Sequence, residues 1–388
     1  MDNIGISSKV LRLQSESLVK LQAEVDQFAI MSPTPVGDFV SAGIRLLGVI
    51  AHLETLEIFS MLQGQWEIHH QAAKRVLNHI EIGGRTYSKT STSIIATMLS
   101  SLPEHDSRRR SLEFSILNYV WVDVLATSTF GGSHYHPCSF DYLPLLNAEI
   151  LKPQDIMGCQ GWVVATICKI TRLEEWRRLQ QSQTDDHSVQ TKVWQERRRL
   201  GSELDIGIGK LLQAGICLHK RKDVHSSMQQ DERDPIRQGE DRATQLGELQ
   251  LENSICSGCD VLLVTVIWAY GAQVLLQVFT ALDLPSQVGI DDTFINLCLE
   301  RLEALPIRLV MRITWPYTIA GSMATSEPQQ QRFRWIVGKT LQGAQAPGIS
   351  WKGLVIMEEC WRLRRIYGDR LITWREAMDS LKAKVILT

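Results

Sequence analysis

A run of 22 residues without a charge, VLLVTVIWAYGAQVLLQVFTAL from Val261 to Leu282, restricts this chain more than anything else in it. A helix this long and this apolar rests either inside a bilayer or inside a protein. Thr265, Gln273, Gln277 and Thr280 interrupt the run, Asp260 and Asp283 flank it, and no excess of Lys or Arg marks one side as cytoplasmic. The segment therefore predicts a central helix buried all round, which needs other helices to cover it, and no membrane partner is expected.

The rest of the sequence supplies that cover. Apolar residues recur at helical spacing over Ser8–Ile30, Phe39–Met61, Trp66–Ile80, Ile94–Ser101, Ser107–Thr127 and Asp155–Leu179. They recur again over Ser254–Leu282, Asp291–Leu305, Trp315–Gly321, Gln329–Gln342, Trp351–Arg365 and Leu371–Val385. Breaks rich in Pro, Gly and Ser separate them: SPTP at Ser32–Pro35, LQGQ at Leu62–Gln65, a predicted loop at Glu81–Ser93, and Phe130–Pro144. Period-two runs of β-branched residues are nearly absent. The expected fold is all-α, a solenoid-like array or bundle of antiparallel helices. One stretch, His219 to Gln245 within a polar insert at 219–250, has almost no large apolar side chain to offset its ordering entropy and is expected to be disordered.

Residues 1–31 read as a separate amphipathic helix ahead of a main domain at 33–385. Leu11, Leu18, Leu21, Val25 and Phe28 recur at heptad spacing, with Gln14 breaking the seam. Such a seam serves either a homodimeric coiled coil through residues 8–30 or packing on the chain's own domain. In the first case, removing residues 1–31 leaves a folded chain of altered oligomeric state.

Composition excludes more than it assigns. A formal net charge of −2 gives no basic field for nucleic acid. No basic, apolar and small-residue series opens the chain, so no signal peptide is expected. Eight scattered cysteines in apolar surroundings read as core thiols in a reducing compartment. CSGC (Cys256–Cys259) lacks two further zinc ligands at workable spacing, the nearest being Cys217, His219 and His225. HYHPC (His134–Cys138) has no supporting carboxylate, and His69 and His70, being adjacent, do not chelate as an i, i+4 pair would. DIGIGK (Asp205–Lys210) lacks both the spacing and the Ser or Thr of a phosphate-binding loop. Arg108–Arg110, Arg197–Arg199 and His219–Lys222 are short basic clusters that read as solvated faces, or as a nuclear import signal. No residue is assigned a catalytic, cofactor-binding or metal-binding role, and no cofactor is expected.

The stretch WPYTIAG (Trp315–Gly321) holds a proline where the helix begins, a large anchor in Trp315, and a glycine that admits a neighbouring helix. It reads as a packing node. Together with GQWEIHHQAAKRVL (Gly64–Leu77), DIMGCQGWVVATICKITRLEEW (Asp155–Trp176), Arg332, Gly348 and EECWRLR (Glu358–Arg364), taken in order, it resembles the regulatory region of fungal-specific transcription factors. The likeness covers roughly Pro33 to Met378, and the family's six-cysteine zinc cluster is missing from it. The resemblance implies a transcriptional regulator in the nucleus, of a metabolic or secondary-metabolite pathway, acting through protein partners or a small ligand, with DNA reached only indirectly or through a missing zinc cluster. A helical enzyme using His69, His134 or His136 on a hydrophobic small molecule, or a protein-binding scaffold, are the competing classes.

Overall fold

The computed structural model describes residues 3–31, 36–59, 66–88, 93–131, 140–181, 187–230, 258–283, 290–343, 349–368 and 370–387. Among them every regular element is helical and no strand occurs. The chain divides into two compact units, Met1–Lys152 with Lys384–Ile386, and Pro153–Ala383 with Leu387–Thr388.

The first unit contains α1 (Asn3–Ile30), α2 (Val36–Phe59), α3 (Trp66–Ser88), α4 (Ile94–Ser101), α5 (Ser107–Phe130) and the short α6 (Leu143–Asn147). Helix α2 lies against α3 and α5, and α1 covers α2 and α3. Leu21, Val25 and Phe28 of α1 are buried there. The Phe28 ring stacks on Phe39 at 4.9 Å, and His79 stands edge-on to both. Three of the five heptad positions thus face home, and α1 is a wall of this core. A chain cut at residue 31 would lose the buried contacts of Leu21, Val25 and Phe28.

Helix α3 continues to Ser88, over the first eight residues of the predicted loop at 81–93; residues 89–92 lie outside the described residues. Tertiary contacts outweigh the local cost of its glycines. Ile80 and Glu81 remain on the buried face, and Glu81 accepts from the hydroxyl of Ser93 and from the backbone N–H of Ile95 at 3.1 Å. Ser93 in turn caps α4 by accepting from Ala96 at 3.2 Å. One buried carboxylate therefore fixes where the next helix begins.

The second unit contains α7 (Gly161–Gln181), α8 (His187–Gln230), α9 (Gly258–Asp283), α10 (Asp292–Glu303), α11 (Thr314–Ser322), α12 (Glu327–Gly343), α13 (Ile349–Tyr367) and α14 (Trp374–Ser380). Helix α7 starts six residues later than its pattern predicts. Residues Pro153–Asp155 form a 3₁₀ turn, and Gly158 sits at φ +74°, a left-handed conformation that no helix interior accepts. At the far end, the predicted Leu371–Val385 helix shrinks to α14. A Thr373–Glu376 capping box starts it, and Lys382 at φ +50° lies beyond its end. Helix α8 runs on through the first residues of the polar insert to Gln230; the remainder of that insert, like the His134 and His136 loop, lies outside the described residues.

Helix α9 is the axis of this unit, packed by α7, α8, α10 and α11. Two stretches are long and apolar enough to span a membrane by length and composition, Asp38–Ile58 and Gly258–Leu282. The second has 78% of its most apolar window buried inside the protein, which is the environment expected of a core helix.

Helix α11 sits against α9 and α13, and every one of its residues is buried. Pro316 is its third residue, two positions deeper than the sequence predicts, because a 3₁₀ segment at Ile307–Arg312 delivers the chain to Thr314 already coiled. The proline is tolerated since first-turn N–H groups have no intrahelical partner. Its missing N–H leaves the Arg312 carbonyl open, and the indole N–H of Trp268 on α9 donates to that oxygen at 2.8 Å. Trp268 stacks on Trp315 at 5.1 Å. A Cβ on Gly271 would stand 2.7 Å from Pro316 Cβ and 3.0 Å from its Cα, so only glycine lets α9 and α11 come this close. Gly321 does the same on the other side, where a Cβ would lie 2.0 Å from Met357 Sδ of α13.

The far end of α11 is closed by α13. The Trp361 indole donates to Gly321 O at 2.9 Å. Arg364 donates to the carbonyls of Ser322, Ala324 (3.1 Å) and Ile372 (2.9 Å). Carbonyls at a helix C-terminus need such donors when buried. The Trp and Arg of EECWRLR are thus the cap for WPYTIAG, which is why the two motifs occur together.

Candidate functional site

Helix α3 places two histidines side by side with opposite fates. His69 is buried, and burial pulls its pKa below the ordinary histidine value. A neutral imidazole shut in the core has no route to a substrate. His70 turns toward α2 and α5. Its Nδ1 lies 3.0 Å from Glu54 Oε1 and its Nε2 3.3 Å from Asp123 Oδ1. Asn118 donates to Glu54 Oε2 at 2.7 Å, Thr55 donates to Asn118 at 3.1 Å, and Tyr142 donates to Asp123 Oδ2 at 2.6 Å. The Tyr119 ring lies flat on the imidazole at 4.8 Å.

Burial alone would depress the His70 pKa, but hydrogen bonds to Asp123 and Glu54 and the charges of both carboxylates outweigh it and raise the value to about 9. His70 is therefore an imidazolium at neutral pH, donating from both nitrogens. Burial raises the Glu54 pKa, with His70 pulling the other way. Nothing in the sequence brings Glu54, His70 and Asp123 together, as 16 and 53 residues separate the histidine from its partners. The cluster joins three helices and its polar atoms are used on one another, so its role is cohesion.

The thiols are equally closed. Cys159, Cys168, Cys298 and Cys360 are buried and unbridged. Burial holds Cys159 well above the ordinary thiol value and pushes Cys298 and Cys360 up to about 12. Cys259 is half-buried at the start of α9, and Cys256 lies outside the described residues. Among the described residues no group of three or more His, Cys, Asp or Glu is placed to hold a metal ion.

Two of the three basic clusters are largely spent on local contacts; the side chains of His219–Lys222 lie outside the described residues. Arg108 pairs with the α5 cap Asp106 at 2.8 Å, Arg109 with Glu113 at 2.9 Å, and Arg110 donates to His105 O. Arg197 is buried and donates to Phe279 O at 2.7 Å, and burial followed by the neighbouring Arg177 charge lowers its pKa to about 10. Arg199 is held by Glu196 and Glu203. Arg198 has no partner among the described residues.

Arg198 lines an open groove of the second unit, a volume of about 950 Å³ along α8 beside the start of α7. DIGIGK forms its far half, as turns of an uninterrupted helix. Gly207 is there for contact: a Cβ on it would fall 2.3 Å from Trp162 Cη2, so the indole lies directly on the α8 backbone. Trp162 is fixed in that pose by donating to Gln160 Oε1 at 2.9 Å. Ile206 stands beside it 60% exposed, an unusual position for a side chain with nothing polar to offer. Arg198 and Lys210 bound the floor, and Glu203 is neutralised by Lys169 (2.7 Å) and Arg199. The groove has an apolar base and cationic rims, and no nucleophile or general base set in a closed cleft.

An all-α architecture, tied by Trp, Gly and Arg nodes, is what these features define. The fungal specific transcription factor domain matches residues 7–388, and the chain belongs to that family. Among curated relatives it is 22% identical to the trichothecene biosynthesis transcription regulator TRI10 of Fusarium sporotrichioides over 366 residues, covering 88% of this chain and 74% of that protein. It is 23% identical to the ustiloxin B cluster transcription factor ustR of Aspergillus flavus over 367 residues, covering 90% of this chain and 55% of that protein. No solved structure matches it.

Proposed function

We propose that this chain is the regulatory module of a transcription regulator that controls a secondary-metabolite gene cluster from the nucleus. The carrying observation is the family match over nearly the whole chain, reinforced by two relatives whose names assign them to trichothecene and ustiloxin B clusters. The module works by presenting surfaces to protein partners or a small ligand, and it reaches DNA only through another protein or another segment. Catalysis is not part of the proposal: His69 is sealed in the core, and the α8 groove offers binding chemistry alone. Transcript profiling of a strain lacking the gene tests it. Coordinated loss of transcripts from one biosynthetic cluster is expected; unchanged cluster transcripts under producing conditions count against it.

Self-association belongs to the same proposal, in a narrower form than the heptad pattern suggests. Leu21, Val25 and Phe28 are committed to the chain's own core, which leaves the part of α1 before Leu21 for a second copy. A Leu11→Glu, Leu18→Glu double variant is expected to lower the mass seen by light scattering from dimer to monomer. A wild-type chain that is already monomeric, or a variant that stays dimeric, removes the idea.

A further inference from the structure

We infer that the α8 groove is the docking site for an acidic amphipathic helix of a partner protein. The inference deepens the partner-borne action proposed above.

Shape comes first. The lining runs from Gln195 to Leu211 along α8. At 1.5 Å per residue that is a trough of about 24 Å, the length of roughly four helical turns. A compact metabolite would occupy a fraction of it and leave the rest wet. The trough is open to solvent, as a helix laid in from the side requires. Its floor is rigid, because Trp162 is held between the Gly207 backbone and Gln160. Ile206 stands next to the indole, so that the two make one apolar spot of the kind that anchors a partner's Leu or Phe.

Charge then selects the occupant. Of the groups lining the trough, Arg198, Arg199 and Lys210 are cationic and Glu203 alone is anionic. Glu203 is bound by Lys169 and Arg199. Arg198 and Lys210 have no ion-pair partner among the described residues, and they are separated by 12 residues, about 18 Å along the helix. Two free cations flanking an apolar spot complement a helix with Leu or Phe at its centre and Asp or Glu toward both ends. A nucleic acid would want a continuous stripe of cations and no isoleucine between them. Such rim charges act mainly on the rate and specificity of capture, so the affinity will fall as salt rises.

The test uses the purified full chain and a fluorescein-labelled synthetic helix of about 18 residues, spanning ~27 Å. It carries Leu and Phe at i, i+3, i+4 and i+7, with Glu at both flanks. Saturable binding by fluorescence anisotropy is expected. Exchanging every Glu of the peptide for Lys should weaken it at least about tenfold. An Arg198→Glu, Lys210→Glu chain should reverse the preference, and Ile206→Asp should weaken both peptides. Circular dichroism checks that each variant keeps its helix content; Gln190→Ala, exposed on α8 but outside the trough lining, serves as a surface control that leaves binding unchanged. Absence of saturation, equal binding of both peptides, equal binding by the charge-reversed chain, or displacement of the peptide by duplex DNA would each overturn the inference. None of these results depends on which genes the protein controls, so the inference can fail while the regulatory proposal stands, and the reverse.

Discussion

Replacement of His70 by alanine is expected to cost the first unit about 3–5 kcal/mol, the range for removing one member of a buried ion pair. Without the imidazolium, Glu54 and Asp123 face each other in the core with their charge uncompensated. The pH dependence carries the signature. His70 has a folded pKa of about 9, above the ordinary 6.5, so its contribution is fully present below about pH 6.5 and is lost as pH rises through 9. Its size is about 3 kcal/mol, from ~1.4 kcal/mol for each pKa unit. Glu54 is raised as well, and ionising it also costs stability as pH rises above its unfolded value, so the two trends share a sign. Urea unfolding at pH 6.5 and pH 9.5 should therefore show a marked alkaline loss in the wild type. In His70→Gln the stability is lower throughout and the loss over that interval is much smaller. A variant that keeps the wild-type slope, or loses less than ~1 kcal/mol, would show that the imidazolium is not what joins α2, α3 and α5.

Trp315→Ala is expected to be as damaging to the second unit, about 3–5 kcal/mol by loss of burial and the cavity left behind. The ring is fully buried, stacked on Trp268, and within 3.2 Å of where a Gly271 Cβ would stand. Removing it opens a void against the one helix that every neighbour depends on. Trp315→Phe should recover much of the loss, since the Trp315 indole N–H has no protein acceptor among the described residues and the contribution is one of shape. Gly271→Ala separates close approach from helix propensity. Alanine favours a helix by about 1 kcal/mol over glycine, yet here its methyl meets the Pro316 backbone, so the net effect is destabilising. At Gly209, where a Cβ meets nothing within 4 Å, the same change should stabilise. Thermal melts that rank Gly209→Ala above the wild type, and Gly271→Ala and Trp315→Ala below it, are the expected result. Equal effects of the two glycine changes would dismiss the close-approach account.

Much of this was open to inspection in the linear sequence. The uncharged run at 261–282 announced α9, and the Trp-Pro pair with Gly321 announced the node beside it, because burial on every side and tight helix contact leave marks at single positions. The register of that node was hidden: Pro316 sits third in α11 because of a 3₁₀ segment whose six residues carry no distinctive pattern. The end of α3 was hidden for a different reason, since Glu81 is held by Ser93 and Ile95 from the following helix. The start of α14 has a local signal. Thr373 and Glu376 stand at capping-box spacing, and apolar periodicity before them masked the signal. The His70 cluster and the α8 groove left no local trace at all. One assembles a histidine with acids from two other helices, and the other sets an indole on a glycine 45 residues along the chain.

The four sealed sulfurs have a consequence of their own. Oxidants attack thiolates that solvent can reach; burial closes all four to solvent, and it also raises the thiol pKa of Cys159, Cys298 and Cys360. Peroxide should therefore leave Cys159, Cys168, Cys298 and Cys360 unmodified for as long as the fold holds. Alkylation at those positions then becomes a meter of unfolding, silent in the intact protein and loud once either destabilised variant opens the core.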